Sequence, residues 1–219
     1  MEKVNNKYRM GFILSIIAIF IGFTLINPLI MFPGIIGLKF FFDKKTQVGS
    51  GLKGEREAVK LLSTLPDDYY IVNDITVKYE GRESQIDTVV VSPNGVSIVE
   101  VKNLNGHITG NLKDENWLQH KVGQKGTSYS NQFYSPVKQV GTHTYRLSKV
   151  LKENGINVWV NNGVLFTNAE TTLDIRNNTD EEMHVYSYHY SDNLLEYLSR
   201  EGNKKLSKEE IDKILAVLK

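Results

Sequence analysis

The 219-residue chain has no cysteine, only five prolines, and no repeated or low-complexity segment. The lack of cysteine excludes disulfide bonds and thiolate metal ligands, although it does not fix a cellular compartment. The five histidines lack the spacing of zinc ligands, so we expect them to be structural or at the surface. These absences exclude folds that depend on disulfides or on a cysteine-bound zinc ion.

Charge is almost absent from residues 11–42, where Lys39 is the single charged side chain. Three basic residues precede this segment, and its first apolar run, Gly11 to Ile26, is followed by Asn27-Pro28 and a second run, Leu29 to Phe42. No small-x-small cleavage site follows the first run, so a membrane segment fits better than a cleaved signal peptide. We therefore expect an anchor over residues 1–42 and one soluble domain over residues 43–219.

The length of the apolar segment leaves two membrane arrangements open. At about 1.5 Å per residue, the first run covers about 24 Å of a roughly 30 Å hydrocarbon core, and the whole segment is too long for one straight span. Either one tilted helix kinks near Pro28, or two short helices form a hairpin broken at Asn27-Pro28. Positive charges flank both ends, which fits the hairpin best, with both ends cytoplasmic. A pair of buried core helices is the alternative.

The soluble part is predicted to have an α/β fold. Helices are predicted at 54–65, from Ser135-Pro136 to Gly155, at 192–200 and at 207–218, the last with a Ser207/Glu210 capping box. Strands are predicted at 69–79, 84–92, 96–103, 106–112, 116–122, 158–167 and 183–188. The acidic stretch at 170–182 is expected to be a surface loop.

Two carboxylates and an amine lie in segments that otherwise consist of valine and isoleucine. Gln85-Ile86-Asp87 precedes an apolar run, a turn at Ser92-Pro93-Asn94-Gly95 follows, and Glu100-Val101-Lys102 ends the next strand. Burying such charges costs several kcal/mol unless a metal or a partner compensates. The hairpin therefore indicates a metal-dependent hydrolytic site.

The turn decides whether the two acids meet. A two-residue loop at Pro93-Asn94 pairs Ser92 with Gly95, which places Asp87 opposite Glu100 and Gln85 opposite Lys102 on one face. Pro93, however, excludes a type I′ turn, so we expect a type I turn with Gly95 in a bulge. That bulge shifts the register by one residue, and a second irregularity is then needed to bring the acids together.

Four motifs resemble the nuclease-related domain (NERD) branch of the PD-(D/E)xK nucleases. They are Gly51-Leu52-Lys53-Gly54-Glu55, Gln85 to Val91, Val99 to Asn103, and Ser135-Pro136-Val137-Lys138-Gln139, which has serine where the family has asparagine. Four motifs in order, spanning residues 51–153, are far more specific than a lone Glu-x-Lys. The resemblance implies a restriction-endonuclease-like core, with a mixed central β-sheet flanked by helices, after an N-terminal transmembrane segment.

The residue types suit phosphodiester hydrolysis with Mg²⁺ or Mn²⁺. Asp87 and Glu100 are expected to hold the cation through oxygen, with the Val101 carbonyl as a further ligand. Such a cation polarises the phosphodiester and activates water. Lys102 is expected to stabilise developing negative charge or to orient that water.

The resemblance adds two catalytic candidates, and each has a simpler alternative. Glu55 is implied to complete the site as a further acid, but it is also placed as an exposed carboxylate at a helix start. Gln139 is implied to orient water or phosphate, or else it is an ordinary polar helix residue. For Glu100 and Lys102, the alternative to a catalytic role is a buried salt bridge that is only structural.

A basic stretch without acids lies between Lys121 and Lys152, although the soluble part as a whole has a net charge of −2. Four aromatic residues are interleaved with its six basic ones, and three of its residues share one helix face at i, i+4 and i+7, namely Gln139, His143 and Arg146. The alternative is a solvated basic helix face above core aromatics. The stretch is predicted to bind nucleic acid through five residues: Lys121, Lys125, Lys138, His143 and Arg146.

Two functional classes follow from the sequence. The first is a membrane-anchored, metal-dependent nuclease with DNA as its expected substrate, ahead of RNA, and with its soluble domain in the cytoplasm. The second is a non-catalytic module of nuclease-like fold that binds nucleic acid or a partner at the membrane. Intact Asp87, Glu100 and Lys102 favour the first class.

Overall fold

Contacts divide the chain into two units, residues 1–53 and residues 54–219. A computed structural model describes residues 2–25, 28–123, 126–179, 182–202 and 205–219. Each unit has its own packing, and each is described separately below.

The first unit contains two antiparallel helices that approach each other closely. Helix α1 spans Glu2–Thr24, and helix α2 begins at Pro28 and continues to Leu62. Small residues lie between them: a Cβ on Gly37 would be 2.7 Å from the Ser15 hydroxyl, and one on Gly34 would be 2.9 Å from Ile19. Such close approach is typical of helix pairs in membranes.

Helix α1 is the one helix among the described residues that is long and apolar enough to cross a membrane. The qualifying segment is Val4–Thr24, with a mean hydropathy of 1.5, and most of its side chains are not buried. A signal sequence has the same length and composition. The apolar segment predicted from the sequence is therefore present as a helix that suits either a membrane anchor or a signal sequence.

The second unit is built on a five-stranded mixed sheet. Its strand order is β1-β2-β3-β7-β9; β1, β2 and β3 pair antiparallel, whereas β7 runs parallel to both β3 and β9. The strands are β1 (Tyr70–Tyr79), β2 (Arg82–Ser92), β3 (Gly95–Lys102), β7 (Val160–Phe166) and β9 (Val185–Ser187).

A second, four-stranded sheet has the order β6-β5-β4-β8. Its strands are β4 (Gly106–Asn111), β5 (Asn116–Val122), β6 (Ser128–Tyr134) and β8 (Thr171–Arg176). The sequence prediction missed β6, where polar residues outnumber apolar ones. The loop predicted at 170–182 is wrong for Thr171–Arg176, which pairs in parallel with β4, and residues 180 and 181 of that stretch lie outside the described residues.

The helices of the second unit begin and end largely as the sequence predicts. Helix α3 (Pro136–Glu153) has Ser135 as its N-cap, and α5 (Lys208–Val217) has the predicted capping box of Ser207 and Glu210. Helix α4 (Ser191–Ser199) follows a short 3-10 helix at Tyr188–Tyr190. The helix predicted to start at Gly54 is instead the last part of the longer α2.

Helices cover both faces of the five-stranded sheet. On one face, α3, α5 and the four-stranded sheet share a core in which Trp117 stacks on Phe166 at 6.5 Å between ring centroids. On the other face, the end of α2 and helix α4 pack through Ala58, Leu62 and Leu194. The predicted α/β class, with a mixed sheet flanked by helices, is confirmed, and a second mixed sheet adds to it.

Candidate active site

Strands β2 and β3 pair without any shift in register. Ser92 lies opposite Gly95, and the same register continues to the pair Thr88 and Val99. The predicted one-residue slip is therefore wrong, because Gly95 adopts a φ of 134° and lets the two-residue loop close directly onto the ladder. No second irregularity is needed to bring the acids toward each other.

The ladder ends where the charged residues begin. Beyond Thr88 and Val99, Asp87 Oδ2 accepts a hydrogen bond from the Val101 backbone N–H at 2.9 Å. A side-chain carboxylate thus takes the place of the next backbone acceptor. Asp87 is thereby fixed against the start of the Glu100-Val101-Lys102 motif.

Glu100, Lys102 and Gln139 form a chain of hydrogen bonds. Lys102 Nζ donates to Glu100 Oε1 at 2.7 Å and to Gln139 Oε1 at 2.9 Å. Glu100 is 1% exposed, whereas the Lys102 side chain keeps partial access to solvent. Strand β3 and helix α3 therefore bring three of the predicted catalytic residues into direct contact.

His143 also lies at this site, and not on the exposed surface where the sequence placed it. It is buried on α3, with Nε2 3.6 Å from Glu100 Oε2. Gln139 and His143 do share a helix face as predicted, but that face points toward β3. A buried imidazole offers no contact surface to a nucleic acid, so this part of the predicted basic surface is not supported.

Glu55 reaches the site from the end of helix α2. Its neighbour Gly54 packs so closely against the ends of β3 and β7 that a Cβ there would lie 2.6 Å from Asn103 Cβ and 2.9 Å from Thr167 Oγ1. Only glycine permits this approach, which explains the Gly-Glu pair of the motif. The charge of Asp87 adds to the rise in the pKa of Glu55, which burial mainly causes.

Asp74 is an acid near the site that the sequence reasoning missed. It lies on β1 at the position opposite Asp87 in the β1–β2 register, with a left-handed φ of 54°. Gln85 Nε2 donates a hydrogen bond to Asp74 Oδ1 at 2.5 Å, so the Gln85 side chain contacts β1. Counting residues along the paired strands β1 and β2 would have placed Asp74 opposite Asp87. The left-handed backbone conformation of Asp74, however, has no signal in the sequence.

Burial and neighbouring negative charges raise the pKa values of the carboxylates in this site. Burial raises the pKa of Glu100 to about 7, with Asp87 adding to the rise and Lys102 opposing it. The pKa of Glu55 rises to about 7 through burial, then through Asp87 and Asp74. Burial also raises the pKa of Asp87, and the Val101 N–H opposes that rise. A nearby cation would favour the ionised form of each group.

The donor set fits a hard divalent cation. Glu100 Oε2 is buried and accepts no hydrogen bond from the described residues, and an ionised carboxylate has about four acceptor positions to fill. No group of three or more histidine, aspartate or glutamate side chains suited to a metal is found in the described part of the chain. A cation would therefore rest on Asp87 and Glu100, with a backbone carbonyl and water completing its shell, as Mg²⁺ commonly does.

The other predicted nucleic-acid contacts do not share one cavity. Lys138 and Arg146 line a cavity of about 830 Å³ beside α3, together with Arg82, Lys113 and Tyr145. Arg146 is anchored there, since its guanidinium donates to the Glu83 carbonyl and the Ser84 hydroxyl. Lys121 borders a different cavity of about 570 Å³, next to Tyr129. Lys125 lies outside the described residues.

Comparison with known proteins identifies a family for much of this chain. The model of the nuclease-related domain matches residues 50–167, which contain Glu55, Asp87, Glu100, Lys102 and Gln139. An uncharacterized protein of Bacillus anthracis is 34% identical over 119 residues, or 53% of this chain, and the match spans 56% of that relative's length. No solved structure matches the chain. The family is consistent with the PD-(D/E)xK resemblance of the motifs. The chain belongs to the nuclease-related domain (NERD) family.

Proposed function

We propose that this protein is a membrane-anchored, divalent-metal-dependent nuclease that hydrolyses phosphodiester bonds of DNA, with RNA as the second candidate substrate. The observation that carries the proposal is the connected set of Asp87, Glu100, Lys102 and Gln139 at the end of the β2–β3 ladder. A buried, unsatisfied carboxylate beside a lysine is costly for folding, so a purely structural role explains it poorly.

Each residue has a distinct task in the proposed chemistry. Asp87 and Glu100 would hold Mg²⁺ or Mn²⁺, which supplies Lewis acidity toward the phosphate and a more acidic bound water. Lys102, held by Glu100 and Gln139, would donate toward the negative charge that develops on the phosphate. Glu55 would add a further acid at the edge of this site.

The substrate would approach over the basic part of α3. Lys138 lies beside Gln139 in the chain, and Arg146 is held in place by the start of β2. Tyr145, which is exposed, offers a ring on which a base stacks. Lys121 would contact a more distant phosphate.

The proposed anchor is the helix pair of the first unit. Large apolar side chains on its outer surface are exposed, among them Phe20, Phe23 and Leu29, which suits contact with lipid. Lysines and arginines flank both ends of the pair, so the hairpin would enter from the cytoplasm and leave the nuclease domain there. A reporter fused after Lys219 tests the orientation, and an extracytoplasmic signal would contradict it.

The central experiment is a cleavage assay with the full chain purified in detergent. Supercoiled plasmid, single-stranded DNA and RNA are incubated with Mg²⁺, Mn²⁺ or EDTA. We expect cleavage with a metal ion, none with EDTA, and none by the Asp87→Ala and Glu100→Ala variants. Cleavage that persists in either variant would contradict the assignment. Binding without cleavage in both metals would favour the non-catalytic module.

A further inference from the structure

Two buried groups that lie next to each other in this site have unused hydrogen-bonding atoms. Glu100 Oε2 and both ring nitrogens of His143 are buried and lack hydrogen-bond partners among the residues that the structure describes. The Nε2 to Oε2 distance of 3.6 Å is a few tenths of an ångström beyond a hydrogen bond. Buried polar atoms rarely stay unpaired, because the cost is about 1–3 kcal/mol for each.

We propose that His143 is a positioning residue for Glu100, donating from Nε2–H to Oε2 and thereby aiming the carboxylate at a divalent cation. This role rests on the proposed metal-dependent function. His143 would touch neither the substrate nor the cation. It would act only through the carboxylate.

The imidazole is suited to donate a hydrogen bond without neutralising the carboxylate. The ring of His143 is buried, and burial favours its neutral form. A neutral imidazole carries one N–H and forms no salt bridge. With the proton on Nε2, it offers Glu100 a donor and leaves its negative charge available to a cation.

Helix α3 would then hold both ends of the Glu100-Val101-Lys102 motif. Gln139 contacts Lys102, and His143, one helical turn later, faces Glu100. The Ser135 cap and Pro136 fix the start of the same helix. Groups that orient a metal-binding side chain in this way typically change metal affinity about 10–100-fold when they are removed.

The test measures Mn²⁺ affinity of the full chain in detergent by electron paramagnetic resonance, without substrate. His143→Leu removes the donor, and we expect Mn²⁺ to bind about 10–100-fold more weakly. His143→Gln keeps an N–H donor near the position of Nε2, so we expect affinity within about threefold of the wild type. Leu147→Ala, on the same buried face of α3, is the control for lost packing; it should lower the melting temperature but not the affinity.

The outcomes separate this role from the proposed function. Mn²⁺ affinity unchanged in His143→Leu would overturn the positioning role alone, as would an equal loss in His143→Gln or in Leu147→Ala. If the wild type and Glu100→Gln bind Mn²⁺ equally weakly, the metal-dependent function itself fails, and the role of His143 fails with it.

Discussion

The two ends of the β2–β3 hairpin use the same pair of strands for opposite purposes. At the turn end, Val89 to Val91 pair in regular order with Val96 to Ile98, and all these residues are buried. At the other end, the pairing of β2 with β3 stops at Thr88 and Val99, and buried carboxylates follow. Apolar burial stabilises the first end by about 1.5–3 kcal/mol for each large side chain, whereas the second end destabilises the fold.

The two strands therefore lose stability at the charged end of the hairpin, which is also the proposed active site. The rise in the pKa of Glu100 to about 7 means that, even beside Lys102, the folded protein disfavours the ionised form of this carboxylate until a further positive charge is present. The regular end keeps the strands in register despite that cost. Substitutions at the two ends should therefore separate activity from stability.

The largest expected effect is on activity, at the charged end. Glu100→Gln removes one of two carboxylates in the proposed metal site, so we expect cleavage to slow by about 10³-fold, or about 4 kcal/mol in the barrier. The melting temperature of the metal-free protein should not fall, since a neutral amide replaces a buried acid. Single-turnover cleavage and thermal unfolding in EDTA measure the two effects.

Ile98→Val at the apolar end is the matched control. Loss of one buried methyl group should lower the free energy of unfolding by about 0.5–1.5 kcal/mol and leave the cleavage rate per folded molecule unchanged. Equal losses of activity in the two variants would show that the ends of the hairpin do not have separate roles.

The next effect is on the pH dependence of stability without metal. The pKa of Glu100 is about 7 in the folded protein and 4.5 for a freely exposed glutamate, so between these pH values the folded protein binds more protons than the unfolded chain does. The contribution of Glu100 to the free energy of unfolding is therefore fully present below about pH 4.5. It falls by on the order of 3 kcal/mol as the pH rises through 7. His143 has the opposite sign because its folded pKa is lowered to about 4.

The comparison of the wild type with Glu100→Gln isolates the contribution of Glu100 to the pH dependence of stability. Urea unfolding in EDTA at pH 5 and pH 8 should show the variant gaining stability relative to the wild type as the pH rises. A stability difference that is the same at both pH values would mean that Glu100 ionises in the folded protein as it does in water.

Much of the site could be predicted because it depends on short-range order. The period of two along a strand places Glu100 and Lys102 on one face, whereas the register at the Pro93-Asn94 turn was predicted wrongly, because the conformation of Gly95 allows the two-residue loop. Helix α3 was also predictable, since Ser135 and Pro136 are strong start signals. These features need no knowledge of distant contacts.

The parts that could not be predicted depend on packing. The sequence shows that Gln139 and His143 share a helix face, but it does not show whether that face contacts solvent or β3. The absence of acidic residues from this stretch led to the prediction that His143 is exposed, whereas it is buried. Asp74 comes near Asp87 only through the pairing of β1 with β2. The β8 strand at Thr171–Arg176 is mostly polar and forms because β4 offers it an edge.

Apart from the conservative control variants, the smallest expected effect concerns the turn that holds the register. Gly95→Ala places a side chain at a φ of 134°, with no atom within 4 Å of the new Cβ, so its cost comes from the backbone alone, about 1–2 kcal/mol in the free energy of unfolding. Gly141→Ala, in α3 with equally open space, is the control and should stabilise by up to about 1 kcal/mol. We expect both variants to keep full cleavage activity per folded molecule, because a one-residue slip would move the side chains of one strand out of the core on each face of the sheet and into the core on the other. If Gly95→Ala loses activity out of proportion to stability, the turn itself, and not the apolar faces of the strands, keeps Asp87 beside the Glu100-Val101-Lys102 motif.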